Sequence, residues 1–263
     1  VIGGSGFYAF LDDVDHHEVD TPYGAPSAPV AVGTVDTADG PRPVAFLPRH
    51  GRRHEHPAHV VNYRANLWAL RSLGVRQVLG PCAVGSLRPE LGPGTLVAPD
   101  QLVDRTTGRI QTYFDRGACH IAFADPYCPR LRAELLGGLR TQEASVVDGG
   151  TMVVIDGPRF STRAESRWYA AQDWSLVNMT GHPEAVLARE LALCYAPIAL
   201  VTDLDAGLVA DEAVSQAEVF RVFAEHTERL RGLLRGIVAG LPLERDCGCV
   251  HVHDGMTLPV ELP

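Results

Sequence analysis

The chain has 263 residues, 46% hydrophobic and 21% charged, a composition that fits a folded domain and argues against disorder. Lys+Arg 23 against Asp+Glu 32 leaves a net charge of −9, which excludes a protein that grips nucleic acid by its own field. The longest apolar stretches, such as Ala196 to Val201, fall far short of the ~20 residues that a membrane helix needs.

Val1-Ile2 reads as a strand end running into Gly3-Gly4-Ser5-Gly6. Val44 to Leu47 is a short apolar run followed by a polar loop, Pro48 to His59. Val60 to Leu73 reads as a helix stopped by Gly74, with Val61, Ala65, Trp68 and Ser72 along one face. Val75 to Gly80 is rich in strand formers and leads to Ala83-Val84-Gly85-Ser86, and Thr95 to Val103 reads as another strand. Pro129 to Leu139 is helical and Ser145 to Ile155 contains a β-branched strand. Thr162-x-x-Glu165 and Ser215-x-x-Glu218 are capping boxes that open helices. Between them lie a strand at Leu176 to Met179, a helix around Pro183 to Leu193 and a strand at Ala196 to Thr202. Alternating strands and helices predict an α/β fold, a single domain over 1–240 with a mixed, largely parallel, twisted sheet covered by helices. Residues 241–263 are expected to form an exposed C-terminal tail.

All 23 basic residues are Arg. Without a lysine amine there is no Schiff-base chemistry and no P-loop, so any phosphate must be held by Arg, His, hydroxyls or backbone N–H groups. No basic segment followed by an apolar one opens the sequence, and a cytoplasmic location is expected. Of the six cysteines, Cys82, Cys119, Cys128 and Cys194 are scattered through apolar or Pro-flanked sequence and read as buried reduced thiols. Cys247-Gly248-Cys249 is a redox or disulfide element or two thiols on a tail; it lacks the second pair that a zinc site needs, so no metal is expected.

Ligands of such sheets gather where strands end in loops. The Gly3-Gly4-Ser5-Gly6 loop admits either an anion or a tight turn. Arg49-His50-Gly51-Arg52-Arg53-His54-Glu55-His56 suits phosphate, a solvated loop, or metal binding by His50, His54, His56 and His59. Thr202-Asp203-Leu204-Asp205 ends an apolar strand; its two acids suit a cation, acid–base work or a helix cap.

Taken together and in order, Arg49-His50-Gly51-Arg52, Val61-Asn62-Tyr63-Arg64-Ala65-Asn66, Asp104-Arg105-Thr106-Thr107, Cys119-His120-Ile121, Gly157-Pro158-Arg159-Phe160-Ser161, Asn178-Met179-Thr180 and Thr202-Asp203-Leu204-Asp205 resemble the 5′-methylthioadenosine phosphorylases of the trimeric purine nucleoside phosphorylase superfamily. The likeness runs from Ile2 to about Val238. It implies phosphate-dependent cleavage of the N-glycosidic bond, giving adenine and 5-methylthioribose 1-phosphate, in a homotrimer with shared active sites. No cofactor or metal is implied; inorganic phosphate is the co-substrate.

The resemblance assigns phosphate to Ser5, Arg49, His50, the Cys82-Ala83 backbone and Thr180. Met179 would lie against the ribose, Phe160 on the purine with Ser161 nearby, and Asp203 and Asp205, the catalytic pair, at the base edge. Gln216 and Val219 would line the nucleoside site, and His120 would close the 5′ pocket of a neighbouring subunit. Cys82 stands where relatives have a Thr hydroxyl, and Gln216 where mammalian relatives have an apolar residue, which would tolerate other 5′ groups. The alternatives are phosphorolysis of other 5′-substituted 5′-deoxyadenosines, such as 5′-halo compounds, or of 6-oxopurine nucleosides, and a catalytically silent purine-binding protein.

Overall fold

The computed structural model describes residues 1–206 and 214–263. In chain order the strands are β1 (Ile2–Gly3), β2 (Asp15–His17), β3 (Val30–Thr37), β4 (Gly40–Pro48), β5 (Gln77–Ser86), β6 (Leu96–Ala98), β7 (Gln101–Asp104), β8 (Val147–Asp148), β9 (Thr151–Val154), β10 (Leu176–Asn178) and β11 (Cys194–Leu204). The helices are α1 (Tyr63–Ser72), α2 (Pro129–Thr141), α3 (Arg163–Ala171), α4 (Gly181–Glu190) and α5 (Gln216–Gly240).

The strands form two sheets, one in the order β1-β4-β3-β2 and a larger one in the order β7-β9-β10-β5-β11-β6-β8. In the larger sheet β7–β9, β9–β10, β5–β11 and β6–β8 are parallel, and β10–β5 and β11–β6 antiparallel, so the expected mixed, largely parallel character holds. The segment read as one strand from Thr95 is two, because Pro99 and Asp100 interrupt the ladder. Gly149 and Gly150, both at positive φ, likewise divide β8 from β9.

Why the sheet is covered on both sides follows from β11, whose first nine residues are all buried. Successive side chains point to opposite faces. Ala196, Ile198 and Leu200 meet Leu131 and Leu135 of α2 and Leu230 and Leu234 of α5, whereas Tyr195 and Val78 meet Leu67 of α1 and Ala185 of α4. Helix α1 is buried almost all round, including Leu67 and Leu70, while Ser72 is exposed; the core-facing stripe is broader than the spacing of Val61, Ala65, Trp68 and Ser72 suggests. Thr162 and Glu165 form the reciprocal capping box of α3, and the Ser215 hydroxyl accepts from the Glu218 N–H at the start of α5.

The segment after Gly240 corrects the expectation of an exposed tail. Leu241, Cys247 and Cys249 are buried, Arg245 donates to the Ala192 carbonyl at 2.8 Å, and Leu258, Val260 and Leu262 pack on the α1 cluster. Apolar residues there find a groove to bury in, which local sequence could not reveal. Among the described residues no helix is long and apolar enough to cross a membrane.

Candidate active site

Strand β11 runs parallel to β5 in register from Cys194 opposite Gln77, until a bulge at Thr202 lets Asp203 pair with Gly85. A bulge bends the strand and re-aims its side chains. Here it brings Asp203 and Asp205 to the wall of a cavity of about 330 Å³. The same cavity is lined by Ser5, Arg49, His50, Cys82, Ala83, Phe160, Ser161, Met179, Thr180, Gln216 and Val219. Thirteen of the fourteen residues singled out from the sequence therefore meet in one place. His120 is the exception and lies exposed on a loop away from this lining.

One end of the cavity is built to meet an anion. Arg49 is fully buried; its Nε and Nη2 donate to Glu184 at 2.5 and 2.7 Å. Glu184 also accepts from the Tyr195 hydroxyl at 2.6 Å. Burial works against the guanidinium charge, but the Glu184 carboxylate outweighs it and holds the pKa of Arg49 above its ordinary value. The bidentate face of Arg49 is thus occupied by Glu184, leaving Nη1 as the edge toward an incoming anion, with only a long 3.5 Å contact to the Pro81 carbonyl. A Cβ at Gly4 would stand 3.0 Å from that Nη1, so glycine is what lets the loop close over the guanidinium.

His50 is held neutral: burial first, and then Arg49, push its pKa down to about 3. Its Nδ1 lies 2.8 Å from the His56 carbonyl. A carbonyl can only accept, so Nδ1 carries the proton and Nε2 is an acceptor. His54 stacks on His50 with centroids 4.4 Å apart, and no carboxylate joins these rings in a cluster suited to metal among the described residues.

Thr180 precedes α4, where the Asn178 side chain accepts from the N–H groups of Thr180 and Gly181 at 2.7 and 2.6 Å. Asn178 therefore holds the Thr180–Gly181 turn that leads into α4 across a non-helical His182. The Cys82 thiol points back to the Ile198 carbonyl at 3.8 Å, and burial pushes its pKa up to about 12; it is a neutral wall.

At the other end, the Asp203 carboxyl accepts from the Thr202 hydroxyl through Oδ2 at 2.8 Å, while Oδ1 is buried without a partner among the described residues. Burial is the main cause, and Asp205 a lesser one, that pushes the pKa of Asp203 up to about 6. Asp205 Oδ2 lies 2.5 Å from the Ser166 hydroxyl, and burial raises its pKa as well, against the pull of that hydrogen bond. Met179 and Phe160 line the same cavity. Gly157, at φ +67, leaves room for Met179, whose Sδ would stand 2.6 Å from any Cβ there.

Several supporting residues carry no local signature. Glu184, Tyr195 and Ser166 look in sequence like ordinary helix and strand residues. So does Arg109, which donates to the carbonyls of Met179, His182 and Asp156 at 2.8, 2.5 and 2.8 Å and so ties two strand ends together.

Residues 1–239 match the family described as the phosphorylase superfamily. The chain belongs to that superfamily. A relative from Mycobacterium tuberculosis, named S-methyl-5′-thioadenosine phosphorylase, is 61% identical over all of this chain and 97% of its own length. A Streptomyces coelicolor relative, named purine nucleoside phosphorylase, is 60% identical over all of this chain and 96% of its own. Among solved structures, methylthioadenosine phosphorylase from Schistosoma mansoni in complex with adenine superimposes with a TM-score of 0.86 at 38% identity, covering 90% of this chain and 89% of that one. For a phosphorylase, a cavity with a guanidinium and a helix N-terminus at one end and acids at the other is the expected division of labour.

Proposed function

We propose that this phosphorylase cleaves 5′-methylthioadenosine with inorganic phosphate, releasing adenine and 5-methylthioribose 1-phosphate. The observation that carries the reading is the pairing, in one cavity, of the Arg49 Nη1 edge with the unpartnered Oδ1 of Asp203. The name of the Mycobacterium tuberculosis relative, 61% identical, supports the substrate.

Breaking an N-glycosidic bond builds positive charge on the sugar and negative charge on the departing base. Phosphate at the Arg49, Thr180 and Ser5 end answers the first charge and supplies the nucleophile. Because Nε2 of His50 accepts, hydrogen phosphate donates its own O–H to that ring, which turns an unprotonated oxygen toward the sugar. Met179 lies under the ribose and Phe160 against the purine. Asp203, protonated in part near neutrality, delivers a proton from Oδ1 to N7 of the base, an assistance typically worth ~10²–10⁴ in rate. Asp205 accepts from the exocyclic amine, which a 6-oxopurine does not have.

Gln216, exposed at the start of α5, borders the 5′ end and tolerates polar or halogen substituents there. His120 is contributed to the cavity of a neighbouring chain in a trimer, which accounts for its exposure in the single chain. The work is done by side chains and phosphate with no cofactor, in the cytoplasm.

Adenine release measured with and without phosphate tests the reading. It is expected to require phosphate and to be faster with methylthioadenosine than with inosine. Release at equal rate in phosphate-free buffer overturns phosphorolysis. Faster turnover of inosine favours the purine nucleoside reading suggested by the Streptomyces relative's name.

A further inference from the structure

The C-x-C pair of the C-terminal segment is not alone. Cys128, Cys194, Cys247 and Cys249 are all buried, and their four sulfurs lie within 4.8 Å of one another. They come from three separate places: the N-cap of α2, the first residue of β11, and the turn Gly248–His251 with the residue before it. The second pair that sequence reading found missing is thus supplied by the fold, from positions too far apart along the chain to form a motif.

We propose that these four thiols are a zinc site that fastens the C-terminal segment to the body of the domain. Zinc takes four thiolates in a tetrahedron with Zn–S near 2.3 Å, so that neighbouring sulfurs stand about 3.8 Å apart. The 3.4 Å between Cys194 and Cys247 and the 4.8 Å limit of the cluster bracket that spacing. All four sulfurs are therefore within reach of a single ion.

The surroundings suit an anionic metal–thiolate centre. Binding Zn²⁺ displaces the four thiol protons and leaves the centre with two negative charges. The guanidinium of Arg130 lies 3.9 Å from Cys194 Sγ through Nη2, its Nε faces Asp246 at 3.8 Å, and its buried Nε and Nη1 have no hydrogen-bond partner among the described residues. The Leu131 N–H donates to Cys128 Sγ at 3.4 Å, as backbone amides do around ligating thiolates.

The site is structural. It lies at the opening end of β11, whereas Asp203 and Asp205 lie at its far end, roughly 30 Å away at about 3.3 Å per residue.

The test uses the full chain, purified under reducing conditions without added metal, with zinc measured by elemental analysis. About one zinc per chain is expected, released only when a mercurial titrates the thiols. The Co²⁺-substituted protein should show sulfur-to-cobalt charge transfer and the visible bands of a tetrahedral tetrathiolate. The double variant Cys247→Ser/Cys249→Ser should lose the metal, and Cys119→Ser should keep it. Metal-free protein about 4 Da lighter than the reduced mass, as two disulfides require, overturns the proposal, as does metal-free protein with four reactive thiols. Zinc retained by the double variant also overturns it. Should that variant fail to fold, a cobalt spectrum of nitrogen or oxygen ligation in the wild-type chain does the same.

Discussion

Asp203 accepts a hydrogen bond from Thr202 on one carboxyl oxygen and leaves the other buried and, among the described residues, unpartnered. The bulge that inserts Thr202 into β11 creates both halves of this arrangement. A carboxyl so placed keeps a proton to higher pH, and the one free oxygen is the place from which to hand it over.

Two consequences of opposite sign follow from Asp203. As an acid it must be protonated, so kcat/KM for the nucleoside should fall with unit slope above about pH 6. Asp203→Asn should lose ~10²–10⁴ in turnover of methylthioadenosine, whereas Asp205→Asn should gain relative preference for inosine, because an amide can donate to a 6-carbonyl. Stability moves the other way. The folded chain holds this proton near pH 6 whereas the unfolded one releases it near 3.8, so the native state binds more protons in that window and stability falls as pH rises through it. Asp203→Asn should therefore be more stable than wild type at pH 8, by about 3 kcal/mol at most, and gain little at pH 4. Thermal melts at the two pH values check this; equal shifts at both would refute the assigned ionisation.

Arg49 and Glu184 make a buried ion pair whose members depend on each other. Removing either partner strands a charge, so Arg49→Met or Glu184→Leu alone should destabilise by about 3–5 kcal/mol. The double variant Arg49→Met/Glu184→Leu should recover much of that loss, since an apolar pair fills the same space, yet phosphorolysis should stay abolished. Denaturant melts of the four proteins decide it. Additive losses would show that the two side chains do not act as a unit.

What sequence reading reached and what it missed divides along physical lines. Ser5, His50, Asp203 and Asp205 stand out because each follows an apolar run and breaks its pattern with glycine, charge or hydroxyl. Glu184 is invisible by the same test: an acid in the first turn of a helix is ordinary, and only the fold brings it to Arg49. Strands β2 and β3 escape because β2 is an exposed edge strand of three residues, and Val30–Thr37 is interrupted by Gly33 and half open to solvent along its second half. The four-cysteine cluster escapes for the reason that long-range contacts generally do: its members are brought together by β11 and the returning C-terminal segment.

The His50 tautomer predicts discrimination among tetrahedral anions. With Nδ1–H committed to the His56 carbonyl, Nε2 offers a lone pair, which HPO₄²⁻ and HAsO₄²⁻ can meet with an O–H and SO₄²⁻ cannot. Arsenate should replace phosphate as co-substrate, and sulfate should inhibit at least tenfold more weakly than phosphate binds, as the loss of one hydrogen bond to a charged group and an acceptor–acceptor clash imply (about 1.5–3 kcal/mol). Because burial and Arg49 hold the ring's pKa down to about 3, Nε2 stays unprotonated and the discrimination should persist from ~pH 5 to 8. Inhibition constants for sulfate across that range check this. A sulfate affinity equal to that of phosphate would overturn the tautomer.

Cys82 gives the last prediction. Its thiol turns away to the Ile198 carbonyl and is held protonated by burial, its pKa pushed up to about 12, so it gives an anion in the cavity nothing beyond the backbone around it. Thr is close to Cys in volume, β-branched and at ease in a strand, and its hydroxyl is a stronger donor than a thiol. Cys82→Thr should lower the KM for phosphate by about three- to tenfold, the worth of one added hydrogen bond of ~1 kcal/mol, while the KM for the nucleoside stays within twofold. The same thiol should resist iodoacetamide in the native protein, since alkylation needs a thiolate. If the variant leaves the phosphate KM unchanged and structures as wild type, the anion does not rest against Cys82. The phosphate end would then have to be redrawn around Ser5 and Thr180.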